Sequence, residues 1–338
     1  MIDSLLAGTL LTSLLLATLW GGLALGHRLP VTLGIRWLAV MGWLGTGGLW
    51  CLLVWQGARL APLVGMAIQM AALLAWWRQL QPARDLDWAD DVAHLATGKV
   101  EGHRLILHHV RNFDWQTREQ ARIAWERREY DLRALASVDL FVSGWGRPGI
   151  AHVLLSFGFA EASGEIDNFL AFSVEVRRER HEQFSEIGGF FKQYELAIIA
   201  TDERDAVRLR SNVRGESVTL YRVLLNAADR RDLLLALVEE ANRLEATPRF
   251  YHTVTANCTT LVFAMMRRII EGLPMDHRLL LSGLLPGYVH DHGGLVPGFP
   301  LSELRRRGDI TERARQAHDA PGFSRRIREG VPGWTEPS

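Results

Sequence analysis

Cysteine is almost absent from this chain: there are two in 338 residues, Cys51 and Cys258. So sparse a pair, with Cys51 inside an uncharged apolar run, argues against a disulfide framework and leaves the redox compartment open. Net charge is absent too, 38 basic residues standing against 38 acidic ones, so no global field draws in a polyanion and no nucleic-acid partner is expected. The Arg-rich stretch Arg118 to Arg133 is interleaved with Glu and Asp at helical spacing and reads as a solvated helix face. Asp202-Glu203-Arg204-Asp205 reads as a turn with local ion pairs. Metal-ligand spacing is missing: His290-Asp291-His292 offers adjacent and alternate side chains on a Gly- and Pro-rich stretch, and strand alternation would send His108 and His109 to opposite faces. No metal and no cofactor are expected, and there is no internal repeat.

Uncharged apolar sequence is plentiful at the start. Residues 4–26 carry no charge and are long enough to cross a bilayer core of about 30 Å. Residues 37–55 and 60–77 repeat the pattern, the third being shorter and interrupted by Gln69. Seven of the twelve tryptophans precede residue 78, several at predicted helix ends where an amphipathic ring suits the headgroup layer. A cleaved signal peptide fits the first run poorly, because no basic segment precedes it and further apolar runs follow. Arg28 and Arg36 would place the first loop, and with it the C-terminal part, in the cytoplasm by the positive-inside rule. The chain thus divides into a transmembrane region over 1–79, a soluble domain over 80–310 and a polar, flexible tail over 311–338. The connector after Trp77 spans at most about 35 Å per ten residues, which keeps the soluble domain near the membrane.

Within that domain, strand-like alternation occurs at 137–143, 150–159, 169–177, 195–200 and 217–223, with a further strand or two over 93–115. Apolar residues at three-to-four spacing predict helices at 227–246 and 258–272, the second stopped by Gly272 and Pro274. The mixture is α+β with a mainly antiparallel sheet.

Cys258 opens the second helix in the run Asn257-Cys258-Thr259-Thr260. Unpaired N–H groups and the positive end of the helix dipole favour a thiolate there, whereas a plain buried cysteine is the alternative. A partner comes from a predicted hairpin. Val153, Leu155, Phe157 and Phe159 form one apolar face and Leu170, Phe172, Val174 and Val176 another; matching the faces lets Val153 oppose Val174 and His152 oppose Glu175. Opposed residues have Cβ atoms about 4.5–5.5 Å apart, within reach for a carboxylate to orient an imidazole. Cys258, His152 and Glu175 are therefore a candidate nucleophile, base and orienting acid; a half-exposed cross-strand His–Glu pair without catalytic duty is the alternative. Tyr194 and Glu195 rival Glu175 as third member, and Asn257, Thr259 and Tyr194 are candidates for oxyanion or substrate contacts.

These residues sit in an ordered set of motifs: RNFDW at 111–115, YDL at 130–132, VDLF at 138–141, WGRPGIAHVLLSFGF at 145–159, FSVEVRRE at 172–179, GGFFKQYEL at 188–196, TDERD at 201–205 and NCTT at 257–260. The set resembles the Lnb N-terminal periplasmic domain family from about Val110 to Arg307. That resemblance implies a permuted papain-like (NlpC-type) fold in which the histidine strand precedes the cysteine helix, with Cys258 as nucleophile, His152 as base and Glu175 at the family's acidic position. It implies a domain facing the periplasm, against the charge rule. The activity it implies is N-acylation of bacterial lipoproteins, with a phospholipid acyl donor and a lipoprotein or other amine acceptor. Three preceding apolar runs depart from the family's pattern. A cysteine peptidase or amidase acting on cell-wall peptides and a non-catalytic, membrane-tethered lipid-binding scaffold are the other expectations.

Overall fold

The computed structural model describes residues 2–147 and 149–334. Its chain divides into two compact units, Met1–Arg84 with Phe184–Tyr194, and Asp85–Gln183 with Glu195–Ser338.

The first unit is built on three helices, α1 (Ile2–Arg28), α2 (Leu33–Trp55) and α3 (Leu60–Gln79). All three are long and apolar enough to cross a membrane. Leu16, Leu38, Trp55, Leu60 and Ile68 are exposed on them, apolar surface that suits lipid better than water. Close approach is provided by small residues: a Cβ on Gly47 would meet the side chain of Thr18 and one on Gly65 the ring of Trp50, the small-residue packing typical of helices in lipid. Gln69, the polar interruption of the third run, is satisfied internally. It accepts from Trp50 Nε1 and donates to Thr46 Oγ1 at 2.7 Å.

The segment Phe184–Tyr194 completes this unit, which corrects the contiguous division expected at residue 79. Phe191 stacks on His27 at 5.6 Å and meets Trp20 and Trp77 edge-on or tilted, and Lys192 Nζ donates to the Trp77 carbonyl at 2.8 Å. An aromatic and a cationic side chain on one short loop thereby find partners on two of the apolar helices.

The second unit carries ten strands: β1 (Thr97–Glu101), β2 (Arg104–Arg111), β3 (Asp114–Trp115), β4 (Ala121–Arg122), β5 (Trp125–Asp131), β6 (Leu135–Gly144), β7 (Ala151–Ala160), β8 (Ile166–Arg177), β9 (Glu195–Asp202) and β10 (Ser217–Val223). Eight form one sheet in the order β1-β2-β9-β8-β7-β6-β10, with β5 added on β2. All its pairs are antiparallel except the single β2–β9 bridge. The fold is α+β with a mostly antiparallel sheet. Leu154 opposes Ser173 and Leu155 opposes Phe172, the register obtained by matching apolar faces.

Both faces are covered. Val153, Leu155, Phe157, Leu170 and Phe172 join the main core beneath α5 (Ala227–Ala246) and α6 (Cys258–Ile269). Leu154 and Ala171, on the opposite face, pack with Ala206, Ile310, Phe323 and Ile327.

That second layer corrects three expectations. Arg118 to Arg133 is not a helix face: Trp125–Asp131 is strand β5 at the side of β2, and its alternating charges suit an outer strand that must not recruit another chain. Of the tail expected over 311–338, residues 335–338 lie outside the described residues, and 311–334 are not a flexible tail; α9 (Thr311–Ala317) and α10 (Phe323–Arg326) bury Ala314 and Phe323, and Ile327 just after α10 is buried as well. Nor does Asp202-Glu203-Arg204-Asp205 make only local ion pairs. Asp202 caps α4 (Glu203–Arg208). Buried Asp205 accepts from Arg111, from the Phe113 N–H and from Trp115 Nε1, and buried Glu203 accepts from Ser156 and Arg328. The apolar pattern alone could not reveal these contacts, because each joins residues far apart in sequence.

Arg328 also reaches Asp139 at 2.7 Å, and its guanidinium lies 3.8 Å from the centre of the Phe169 ring. Deleting one member of such a buried network leaves the others charged and unpaired, at about 3–5 kcal/mol. Arg328→Ala is therefore expected to lower the thermal midpoint of the second unit by roughly 10 °C, read by differential scanning fluorimetry of the full chain in lipid nanodiscs. An unchanged midpoint would show that the network carries no net stability.

Candidate active site

Asn257 shapes the start of α6. Its side-chain oxygen accepts from the N–H groups of Thr259 and Thr260, and Thr260 Oγ1 accepts from its backbone N–H. This is a complete capping box. The Asn257 amide nitrogen donates to the Thr253 carbonyl at 2.7 Å, which helps to hold the turn. Asn257 thus positions the helix that carries Cys258. The cap takes the second and third N–H groups of the turn and leaves that of the first residue, Cys258, facing the same end of the helix dipole as its thiol.

Cys258 is buried, at 7 % exposure. Its thiol hydrogen-bonds with the imidazole of His152 and takes the N–H of Val153, both from the first residues of β7. His152 in turn meets Ser173 Oγ through Nε2 at 2.7 Å and Glu175 Oε1 at 3.3 Å. The directions follow from proton counting. Ser173 has one hydroxyl proton and gives it to Glu175 Oε1 at 2.6 Å, so its oxygen must accept from His152. Nε2 therefore carries a proton, and Nδ1 is the nitrogen with a lone pair for the thiol.

Glu175 is held ionised from behind. Arg210, 2 % exposed, donates to the same Oε1 at 2.9 Å. Arg210 belongs to a π-helical turn, Leu209–Arg214, that continues α4, a geometry common at functional sites.

The electrostatics agree with this layout. Burial alone would raise the Glu175 carboxyl, but His152 and Arg210 hold it well below its ordinary value. Burial pulls the His152 imidazole down, and Glu175 overrides this to bring it to about 9. Burial pushes the Cys258 thiol up, yet the imidazole beside it and the Val153 N–H leave it below its ordinary 9.0. Both shifts run in the direction of thiolate beside imidazolium.

A second hydroxyl chain approaches the sulfur from the other side. Thr259 Oγ1 donates to Ser282 Oγ at 2.8 Å, which frees the Ser282 proton for the sulfur 3.8 Å away. Ser282 is placed by backbone: the Gly283 N–H donates to the Gly149 carbonyl at 3.1 Å. A Cβ on Gly283 would lie 3.0 Å from the Gly149 backbone, so the loop after α6 closes against the loop before β7 only because glycine stands there.

Cys258, His152 and Glu175 are thus brought together, with Thr259 at their side. Tyr194 is not among them; it belongs to the first unit, where its hydroxyl accepts from the Ser185 N–H. Glu195 lies opposite Arg177 and Ala197 opposite Glu175 in the β8–β9 ladder, which separates the rival acid from His152. Sequence reading missed Ser173, Arg210 and Ser282. Ser173 was within reach, since it shares the His152 face of the hairpin; Arg210 and Ser282 carry no local signal. His290 and His292 lie in and just after α7 (Leu285–Asp291), bonded to the carbonyls of Phe299 and Tyr288. No cluster suited to a metal occurs among the described residues.

No curated protein and no solved structure matches the chain. A family model does, over residues 121–283, a stretch that takes in His152, Ser173, Glu175, Arg210, Cys258 and Ser282. With three apolar helices ahead of it, the chain is a membrane protein whose residues 121–283 match the model of the Lnb N-terminal periplasmic domain family.

Proposed function

We propose that this chain is a membrane-anchored thiol acyltransferase that N-acylates bacterial lipoproteins from a phospholipid donor, with three membrane spans and a periplasmic, permuted papain-like catalytic domain. The observation that carries the reading is the unbroken relay from the Cys258 thiol through His152 and Ser173 to Glu175 and Arg210.

The Cys258 thiolate attacks the ester carbonyl of the donor. The oxyanion that forms is met by the Cys258 N–H at the positive end of α6. The carbon–oxygen bond to the glycerol breaks, the leaving alkoxide takes the proton from His152, and an acyl thioester remains. The acceptor amine then attacks the thioester carbonyl and gives its proton to His152, and the carbon–sulfur bond breaks to restore the thiolate. Ser173 and Glu175 keep the imidazole in the required tautomer throughout. The thiolate and imidazolium charges are lost together as the thioester forms and return together when the amine is acylated, while Glu175 stays ionised throughout.

Incubation of the full chain with phospholipid and no amine acceptor is expected to add one fatty acyl mass to Cys258, seen in intact-mass spectra, and Cys258→Ala should show none. A peptide adduct from cell-wall fragments in place of the acyl adduct would favour the peptidase.

The pH behaviour follows from the signs of the shifts. The His152–Glu175 attraction is fully present below the ordinary imidazole value of about 6.5 and is lost as pH rises through about 9. On the acid side, Glu175 is lowered, so its contribution persists above ordinary carboxyl values and fades only well below them. Iodoacetamide titration of Cys258 should give a midpoint below 9.0 in the native chain, and a higher one in His152→Ala, where only the Val153 N–H and Ser282 still oppose burial. In Glu175→Gln the alkaline limb of activity should move down from about 9; an unmoved limb would remove Glu175 from the relay.

A further inference from the structure

The second unit also contains a cavity of about 200 Å³ beside the thiol. One wall is a single face of α6 and its C-cap: Thr259, Val262, Met266 and, at the cap, Ile270 line it at three-to-four spacing, with Leu155 of the sheet and Leu285 of α7 also in the lining. The cavity begins at the residue next to the nucleophile. Thr259, one of its lining residues, is joined through Ser282 to the Cys258 sulfur.

The lining is almost wholly apolar, and its polar side chains are engaged within the protein. Thr259 donates to Ser282, the Tyr288 hydroxyl to the Pro274 carbonyl, and a His292 ring nitrogen pairs with the Tyr288 carbonyl. A peptide or sugar entering would lose its hydrogen bonds to water without replacement, whereas a hydrocarbon chain loses nothing. We infer that this cavity is the acyl-chain subsite, receiving the first six or seven carbons of a fatty acyl group attached at Cys258. The inference rests on the thiol acyltransferase reading and narrows its substrate to an unbranched aliphatic chain. The size follows from volume, since a methylene fills roughly the ~30 Å³ that a water molecule takes in the liquid. The face from Thr259 to Ile270 is about 16 Å long at the α-helical rise, enough for a chain of that length.

The test needs no turnover. Linear alkyl methanethiosulfonates, methyl to dodecyl, form a disulfide with a thiolate and expel methanesulfinate. They are applied to the full chain in lipid nanodiscs, in a Cys51→Ala background so that Cys258 is the single thiol. Each buried methylene is worth roughly fourfold in binding. The rate of labelling should therefore climb with chain length, at least thirtyfold from methyl to hexyl, and level off near six to eight carbons. Met266→Trp should bring the levelling to shorter chains, Met266→Ala to longer ones, and Val262→Trp should flatten the climb. Partition of the reagents into lipid is common to all the variants and cancels between them. Superimposable profiles for the native chain and all three variants would overturn the subsite, even if phospholipid acylates Cys258. Shifted profiles would sustain it, even if phospholipid left Cys258 unmodified and the acyltransferase reading fell.

Discussion

The ion pair between His152 and Glu175 is the interaction on which the site depends. A thiol buried beneath a sheet would be inert, since burial favours its neutral form. Glu175 reverses this at one remove, by making the neighbouring imidazole a cation whose proximity draws the thiol toward ionisation. Glu175 can act so because Arg210 keeps it charged. The charges alternate in sign from sulfur to guanidinium, and each member is held ionised by the next.

The rest of the fold serves to keep that series in line. β7 and β8 fix His152 and Ser173 by register, while α6 fixes Cys258 by its cap. Arg210 comes from the far layer, which is why α4 and its π-helical continuation need firm seating. Asp205 on α4 is tied to Arg111, and Glu203 to Arg328 near the end of the described chain. Residues fifty to about a hundred and fifty positions from Cys258 in sequence thus help to set the field at its sulfur. Such an arrangement is costly in desolvation but specific in geometry.

Much of this was legible in the sequence where physics is local. The period-two pattern of 150–159 and 169–177 placed His152 against Glu175, because a shift by one residue would have turned both apolar faces outward. The Asn-Cys-Thr-Thr run placed the thiol at a helix start. What stayed hidden depended on distant partners. Tyr194 looked available beside a strand, yet its environment is set by Phe184 and Ser185 of its own loop. The Arg-rich stretch after Gln116 had helical charge spacing, and only its pairing with β2 makes it a strand. The segment 311–334 looked polar because its apolar residues are few and widely spaced; Ile327 and Phe323 are nevertheless among its buried ones. Asn257 was assigned to the right place, and its capping of the helix was not foreseen.

The loop that carries Phe191 makes the polypeptide pass between its two units three times, near residues 84, 183 and 194. A protease nicking the connector after the third apolar helix would leave the periplasmic part still moored, through Phe191 and Lys192 and their aromatic partners. Shedding the domain from the envelope would require severing both flanks of that loop as well, and trimming the gene to its soluble stretch would leave a bare aromatic hook in water.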